Sequence, residues 1–465
     1  MTDAAVEAHL DSTRDARHAS YLDLLRIPSI SALPEHADDC RRAAKWIVDE
    51  LERIGFEHAE ASETGGHPIV YADWLHADGA PTILVYCHYD VQPVDPLDEW
   101  ETAPFDPFIR DGRVVGRGSA DDKGQIHLHL RAAEALLATR GRLPLNLRIV
   151  FEGEEESSSA GLARWLEANR ERLQADAAII SDTGFLEGNR PALTLGLRGL
   201  AYVQIDVSGP ASDVHSGGYG GVVENPANAL ARIIAALKDR DGVVQVPGFY
   251  DDVLPLSPEL RNEIARIPID EANLLEVTGA PAIVGERGYT VLERLGYRPT
   301  LDVNGIWGGF QGHGSKTIIP GKAHAKVSCR LVPNQDPDVI FERLRDYILE
   351  VAPPGVHVEV TNLGGGRPTV VSADHPVAVA ALKALEATFG AKPFLIRGGG
   401  SIPVAAMLDS ILALPPVMLG FANPDSHAHA PNESMVLDNY ERGIRTICRL
   451  WDDLATMTPM RGTTT

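Results

Sequence analysis

Apolar residues along this chain follow two rhythms. Short apolar runs at Ile69–Trp74, Thr82–Tyr86, Leu145–Phe151 and Ala177–Ile180 predict buried strands. Between them, apolar residues recur at helical spacing over Ala16–Arg26, Asp38–Ile54, Gln125–Thr139 and Ala160–Leu173. The second of these puts Ala44, Ile47, Val48 and Leu51 on one face and stops at Gly55, as a helix does when glycine ends it. Strand alternating with helix predicts an α/β domain whose mainly parallel sheet carries helices on both faces.

From Leu197 the pattern changes. Leu200–Val207 alternates as a half-buried strand, and Pro226–Lys238 is amphipathic. After a long irregular stretch come a strand at Lys322–Leu331, a helix at Asp336–Val351 and a strand at Val356–Val360. That order predicts a small two-layer α/β domain. The first pattern resumes at His375, with a helix to Phe389, a strand near Val417 and a last helix to Leu454. The chain is therefore expected to be one α/β domain, residues 1–196 and 371–465, with a second domain, residues 197–370, inserted in it. The Gly364–Gly366 run is expected to be a turn or hinge between the two.

Composition narrows the function. With 465 residues, two domains are expected. A formal net charge of −23 argues against nucleic acid or an anionic membrane as partner, since each calls for a basic face. No run approaches the roughly 20 apolar residues that span a bilayer, and Met1–Arg17 is too charged for a secretory leader. Cys40, Cys87, Cys329 and Cys448 are far apart, with no CxxC spacing. They read as reduced core thiols of a cytoplasmic protein.

Chemistry gathers at the predicted strand ends. His88 closes the Thr82 run, with Asp90 two residues on, positioned to hold the other ring nitrogen of His88. Asp121 and Asp122 precede a helix, Glu154, Glu155 and Glu156 follow a strand, and Asp182 follows another. His427 and His429 lie in a late loop. Carboxylates packed into one cleft repel unless cations neutralise them. Two divalent metals, with a histidine each and one shared carboxylate, would do so. N/O donors without thiolate suit Zn, Mn or Co. In a run of three glutamates, one can bind metal while its neighbour stays free to take a proton from water.

These stretches resemble the co-catalytic metallopeptidases that include carnosinases, cytosolic non-specific dipeptidases, glutamate-releasing carboxypeptidases and aminoacylases. The resemblance rests on His88-Tyr-Asp90-Val-Gln-Pro, Gly116-Arg-Gly-Ser-Ala-Asp121-Asp-Lys-Gly, Glu152-Gly-Glu-Glu155-Glu156-Ser, Ser181-Asp182 and His429-Ala-Pro-Asn-Glu433, in order over nearly the whole chain. It implies His88, Asp121 and Asp182 as ligands of one zinc, and Asp121, Glu156 and His429 as ligands of the other. Glu155 would be the general base, and Asp90 the partner of His88. His427 rivals His429, but Asn432-Glu433 follows His429 at the family spacing. Asp122 is expected to support the site rather than bind metal.

The resemblance also makes the inserted domain a lid and dimerisation domain. His215, in Asp213-Val-His215-Ser-Gly-Gly, would reach the partner subunit's site in a homodimer. Arg330, with the Gly398-Gly-Gly400-Ser401 loop, would hold a substrate carboxylate, and His375 would line the substrate pocket. Asp rather than Glu at position 182 favours a dipeptidase acting on small peptides with a free C-terminal carboxylate. The alternatives are an N-acyl-amino-acid deacylase of the acetylornithine or succinyl-diaminopimelate kind, and a binding protein that has lost catalysis. The retained Glu155 and full ligand set count against the latter.

Overall fold

A computed structural model describes residues 3–157, 159–400 and 402–458. The chain divides into two compact units. Met1–Leu195, Val371–Ile396 and Pro403–Thr465 form the first, and Gly196–Val370 with Arg397–Ile402 the second.

The first unit is built on a sheet that includes β1 (Glu57–Ser62), β2 (Ile69–Trp74), β3 (Thr82–His88), β4 (Asn146–Glu152), β5 (Ala177–Ile180), β6 (Ala192–Leu197) and β7 (Pro416–Met418). Their spatial order is β1-β2-β4-β3-β5-β7-β6. The four central strands, β4, β3, β5 and β7, run parallel. The flanks are antiparallel. All seven residues of β3 are buried, because parallel strands are covered on both faces. Ile83, Val85 and Cys87 face a core shared with α1 (Ala37–Ile54), α2 (Lys123–Arg140), α3 (Pro376–Phe389) and α4 (Leu437–Leu454). Leu84 and Tyr86, on the opposite face, are buried as well. α1 ends where Gly55 takes a left-handed conformation, φ +106°, which glycine adopts at no steric cost. The four cysteines are free thiols in the interior.

Register decides what the sheet presents. β3 pairs in parallel with β4, His88 opposite Glu152, and with β5, Tyr86 opposite Ile180. The chain leaving β5 therefore carries Ser181 and Asp182 alongside Cys87 and His88, and the Ser181 N–H donates to the Tyr86 carbonyl at 3.1 Å. Polar side chains that follow these strands converge at one end of the sheet, where ligands bind in open α/β folds.

The second unit has a four-stranded antiparallel sheet in the order Thr300–Gly308, Lys322–Leu331, Gly199–Ser208, His357–Gly366. Alternate residues Ala201, Val203, Ile205 and Val207 are buried in a core with helices Pro226–Leu237 and Pro337–Val351. Asn225 and Asp336 cap those helices, each accepting a backbone N–H with its side chain.

Two expectations change here. The stretch expected to be irregular contains short helices at Pro258–Ile264, Glu271–Thr278 and Val291–Gly296 and the strand Thr300–Gly308. That strand is mostly exposed and bulged near Val303–Gly305, so no apolar alternation marked it. Gly364–Gly366 is not a turn. It lies inside a strand, paired with Leu200–Tyr202. A Cβ on Gly365 would stand 2.2 Å from the Leu200 carbonyl oxygen, so the glycine permits close backbone approach.

Candidate active site

Each chemical group sits where a local element puts it. His88 is the last residue of β3, and its backbone N–H donates to Asp122 Oδ2 at 3.0 Å. Asp121 stands on the loop just before α2, joined to Asp122 by a cis peptide bond. Glu155 and Glu156 follow β4, and Asp182 follows β5. His429 lies in a compact loop in which His427, His429 and Asn432 all have left-handed backbones.

The fold brings His88, Asp121, Asp182, Glu156 and His429 into two groups of potential metal donors that share Asp121. In each group the donor atoms lie within 4.8 Å of one another. His88 Nε2 is 3.0 Å from Asp121 Oδ1 and 3.9 Å from Asp182 Oδ1. His429 Nε2 is 3.0 Å from Asp121 Oδ2 and 3.2 Å from Glu156 Oε1. Asp121 thus turns one oxygen toward each histidine. His88 Nε2 and Glu156 Oε1 are buried with no hydrogen-bond partner. Buried polar atoms are rarely left so, and a cation in each of the two donor groups would satisfy them. A third group, Glu57, His58 and Asp73, is closed by its own contacts: His58 Nδ1 lies 2.9 Å from Asp73 Oδ1, and the Tyr71 hydroxyl donates to Asp73 Oδ2.

The electrostatics follow from this crowding. Asp121 and Glu156 hold the His429 imidazole up to about 10. Burial works to lower His88, but the carboxylates of Asp121, Asp182 and Asp90 crowded around it prevail and raise it well above its ordinary value. Burial, reinforced by Asp182, Glu156 and Asp90 against the opposing pull of His88, pushes the Glu155 carboxyl up to about 8. Burial likewise raises Asp182.

Asp90 serves the site differently from the expectation. His88 Nδ1 lies 3.1 Å from the Asp90 backbone carbonyl, and the carboxylate oxygen is 3.4 Å away. The carboxylate instead accepts the backbone N–H groups of Glu155 and Glu156 and the Ser31 hydroxyl. The carbonyl is the nearer acceptor, while the carboxylate is turned to the Glu155 loop.

Other expected residues lie elsewhere. His375 caps α3, its Nδ1 accepting the Val377 N–H. It lines a cavity of about 260 Å³ with Asp176, Ala177 and Leu414. Ala177 begins β5, whereas Asp182 follows its other end. His375 is therefore at the opposite end of the strands from the clustered carboxylates and does not line their pocket. His427 is absent from both donor groups. His215, Arg330 and Gly400 belong to the second unit, and Ser401 lies outside the described residues. His215 is exposed, and its Nδ1 accepts the Gly217 N–H at 2.9 Å. A neutral ring so held carries its hydrogen on Nε2. Arg330 is half-buried in its strand beside Arg198, and the Arg198 Nε donates to the Gly399 carbonyl at 2.9 Å.

Three supporting residues escaped the sequence reading. Gln92 Nε2 donates to Glu156 Oε2 at 2.7 Å, Arg198 holds Gly399, and Glu433 gathers four donors from the Asp121 loop. Gln92 and Glu433 lie within the His88 and His429 motifs, but their partners are remote in sequence.

A sequence profile for peptidase family M20/M25/M40 matches residues 84–453, which hold every member of the two donor groups. The chain belongs to this family. Among M20 relatives, the Schizosaccharomyces pombe Cys-Gly metallodipeptidase dug1 is 33% identical, over 97% of this chain and 98% of its own. The structure of the Sulfolobus solfataricus M20 metallo-carboxypeptidase Sso-CP2 superposes with a TM-score of 0.84 at 33% identity, covering 95% of this chain and 99% of that one. Human carnosine dipeptidase 1 gives 0.81 at 28%, covering 97% and 98%. Among the described residues, no helix is long and apolar enough to cross a membrane.

Proposed function

We propose that the chain is a metal-dependent dipeptidase that cleaves short peptides bearing a free C-terminal carboxylate. The observation that carries this reading is the Asp121 carboxylate, whose two oxygens face two different histidines, each with a further carboxylate beside it. His88, Asp121 and Asp182 would hold one divalent ion, and Asp121, Glu156 and His429 the other, with zinc the first choice and Mn or Co suited to the same donors. Such a pair, when bound, polarises the scissile carbonyl and acidifies a water molecule.

The chain's own groups do the rest. Glu155 stands next to Glu156 but belongs to neither donor group, so its carboxylate is free to take a proton from water and to give it to the departing amine. His215 has its Nδ1 occupied and presents an Nε2–H donor, suited to a developing oxyanion. We assign it to the partner subunit's site in a homodimer. Arg330, with Gly400 and Ser401, would bind the terminal carboxylate, where a planar guanidinium forms paired hydrogen bonds.

A second reading, a carboxypeptidase acting on longer peptides, is favoured by the likeness to Sso-CP2. One assay separates them. Ala-Ala, Cys-Gly, β-Ala-His, a tripeptide and N-acetylornithine are offered to the chelated protein and again after Zn or Mn is restored. Metal-restored cleavage confined to dipeptides supports the proposal. Comparable turnover of the tripeptide moves the chain to the carboxypeptidases, turnover of N-acetylornithine alone to the deacylases. No turnover by the metal-loaded protein ends the enzymatic reading.

A further inference from the structure

We propose that Glu433 is a positioning residue that fastens the loop carrying Asp121 to the loop carrying His429, and so sets the second metal position. The inference rests on the two-metal reading above. Glu433 is fully buried, and both its oxygens are used. Oε1 accepts the backbone N–H groups of Ala120 and Asp121 at 2.9 and 3.0 Å. Oε2 accepts the Gly118 N–H at 2.9 Å and Arg117 Nη1 at 2.8 Å. Its own carbonyl accepts the Gly116 N–H at 2.9 Å. One residue therefore collects the turn from Gly116 to Asp121, and it stands four positions after His429.

The neighbouring residue extends the fastening. Asn432 Oδ1 accepts the Glu101 N–H at 2.8 Å, and its Nδ2 donates to the Glu99 carbonyl at 2.9 Å. Ser434 then enters a short ladder opposite Val115.

This arrangement answers a specific need. His88 ends a buried strand, and Asp182 lies two residues beyond another, so the sheet places both. Asp121 and His429 stand on loops, and the His429 side chain is 56% exposed, so core packing does not hold it. The separation of His429 Nε2 from Asp121 Oδ2 depends on what joins their loops, and Glu433 makes that join with four hydrogen bonds. Glutamine has the same shape, but whichever way its amide turns, the NH2 end meets two donors instead of accepting from them. Aspartate keeps the charge and is one methylene too short to reach both pairs.

The test is a stepwise titration of the chelated full-length protein with Zn²⁺ alone, followed by calorimetry, for wild type, Glu433→Gln, Glu433→Asp and Arg117→Met. Wild type is expected to take two ions. In Glu433→Gln the second ion should bind about 10–100-fold more weakly, as when groups supporting metal ligands are removed, while the first, which shares Asp121 but has His88 and Asp182 placed by the sheet, should weaken clearly less. Hydrogen exchange at the Ala120 and Asp121 amides should quicken, and kcat should recover at saturating zinc with KM unchanged. Arg117→Met leaves three backbone donors on Glu433 and should keep the second ion within about threefold, well short of that loss. Unchanged affinity for the second ion in Glu433→Gln overturns the proposal, as does equal weakening of both ions. If Glu433→Gln shows no cooperative melt, Glu433→Asp decides by the same two criteria. A wild type that binds fewer than two ions overturns instead the two-metal reading.

Discussion

The Asp90 carboxylate accepts the backbone N–H of Glu156 at 3.0 Å. A residue two positions after one candidate ligand, His88, thus anchors another. Its second oxygen takes the Glu155 N–H at 3.2 Å, and its carbonyl steadies the His88 ring. Removing this carboxylate in Asp90→Ala should lower zinc affinity about 10–100-fold, with Asp90→Asn, which keeps one acceptor, falling in between. Competition with a chelating dye measures both. An Asp90→Ala variant that binds zinc as wild type does would deny Asp90 any part in forming the site.

Glu155 is expected to act on the proton and not on the metal. Glu155→Gln should lower kcat by about 10²–10⁴ while the protein retains its full complement of zinc. Rate and metal content are read on the same sample. A fall of less than tenfold would place the base elsewhere.

If His215 serves the partner subunit, two inactive variants should rescue one another. His215→Ala and Glu155→Gln, mixed in equal amounts after subunit exchange, form heterodimers in which one site has both native residues. With random pairing, about a quarter of all sites are then intact, and the rate should approach about a quarter of wild type. Activity no higher than that of the separate variants would mean that His215 acts within its own chain or not at all.

Glu441 offers a pH test far from the site. Its carboxylate accepts both Arg17 Nη2 contacts, at 2.6 and 2.8 Å, and lies 2.9 Å from His18 Nε2. Burial works to raise it, but His18 and Arg17 prevail and hold it at about 2, below its unfolded value. Its stabilisation is therefore complete above about pH 4.5 and is lost as pH falls toward 2. The full shift corresponds to about 3 kcal/mol. Urea unfolding of wild type and Glu441→Gln should differ by up to that much at pH 7, and the gap should narrow steadily below pH 4.5. A constant gap would mean that the charge contributes nothing.

Gly365→Ala should destabilise the second unit by about 1–3 kcal/mol, since its Cβ would meet the Leu200 carbonyl oxygen. Thermal unfolding monitored by calorimetry is the measure, and an unchanged transition would show that the two strands part easily.

Much of this protein is readable from its residues in order. Strands at Ile69–Trp74, Ala177–Ile180 and Lys322–Leu331 follow directly from short apolar or alternating runs, because burial and pleat are local matters. The kinds of donor at the strand ends, and the acidity that calls for cations, were also legible. What folding alone decided is how distant segments meet. The strand Thr300–Gly308 and the paired glycines Gly364–Gly366 carry no local mark, since partner strands make them what they are. His375 belongs to the far end of the sheet because its helix packs there. Glu433 finds its donors more than 300 residues earlier in the chain. Which oxygen of Asp121 faces which histidine is a matter of ångströms between loops. Local preference sets the residue types available to a site, whereas only tertiary packing sets the distances at which they act.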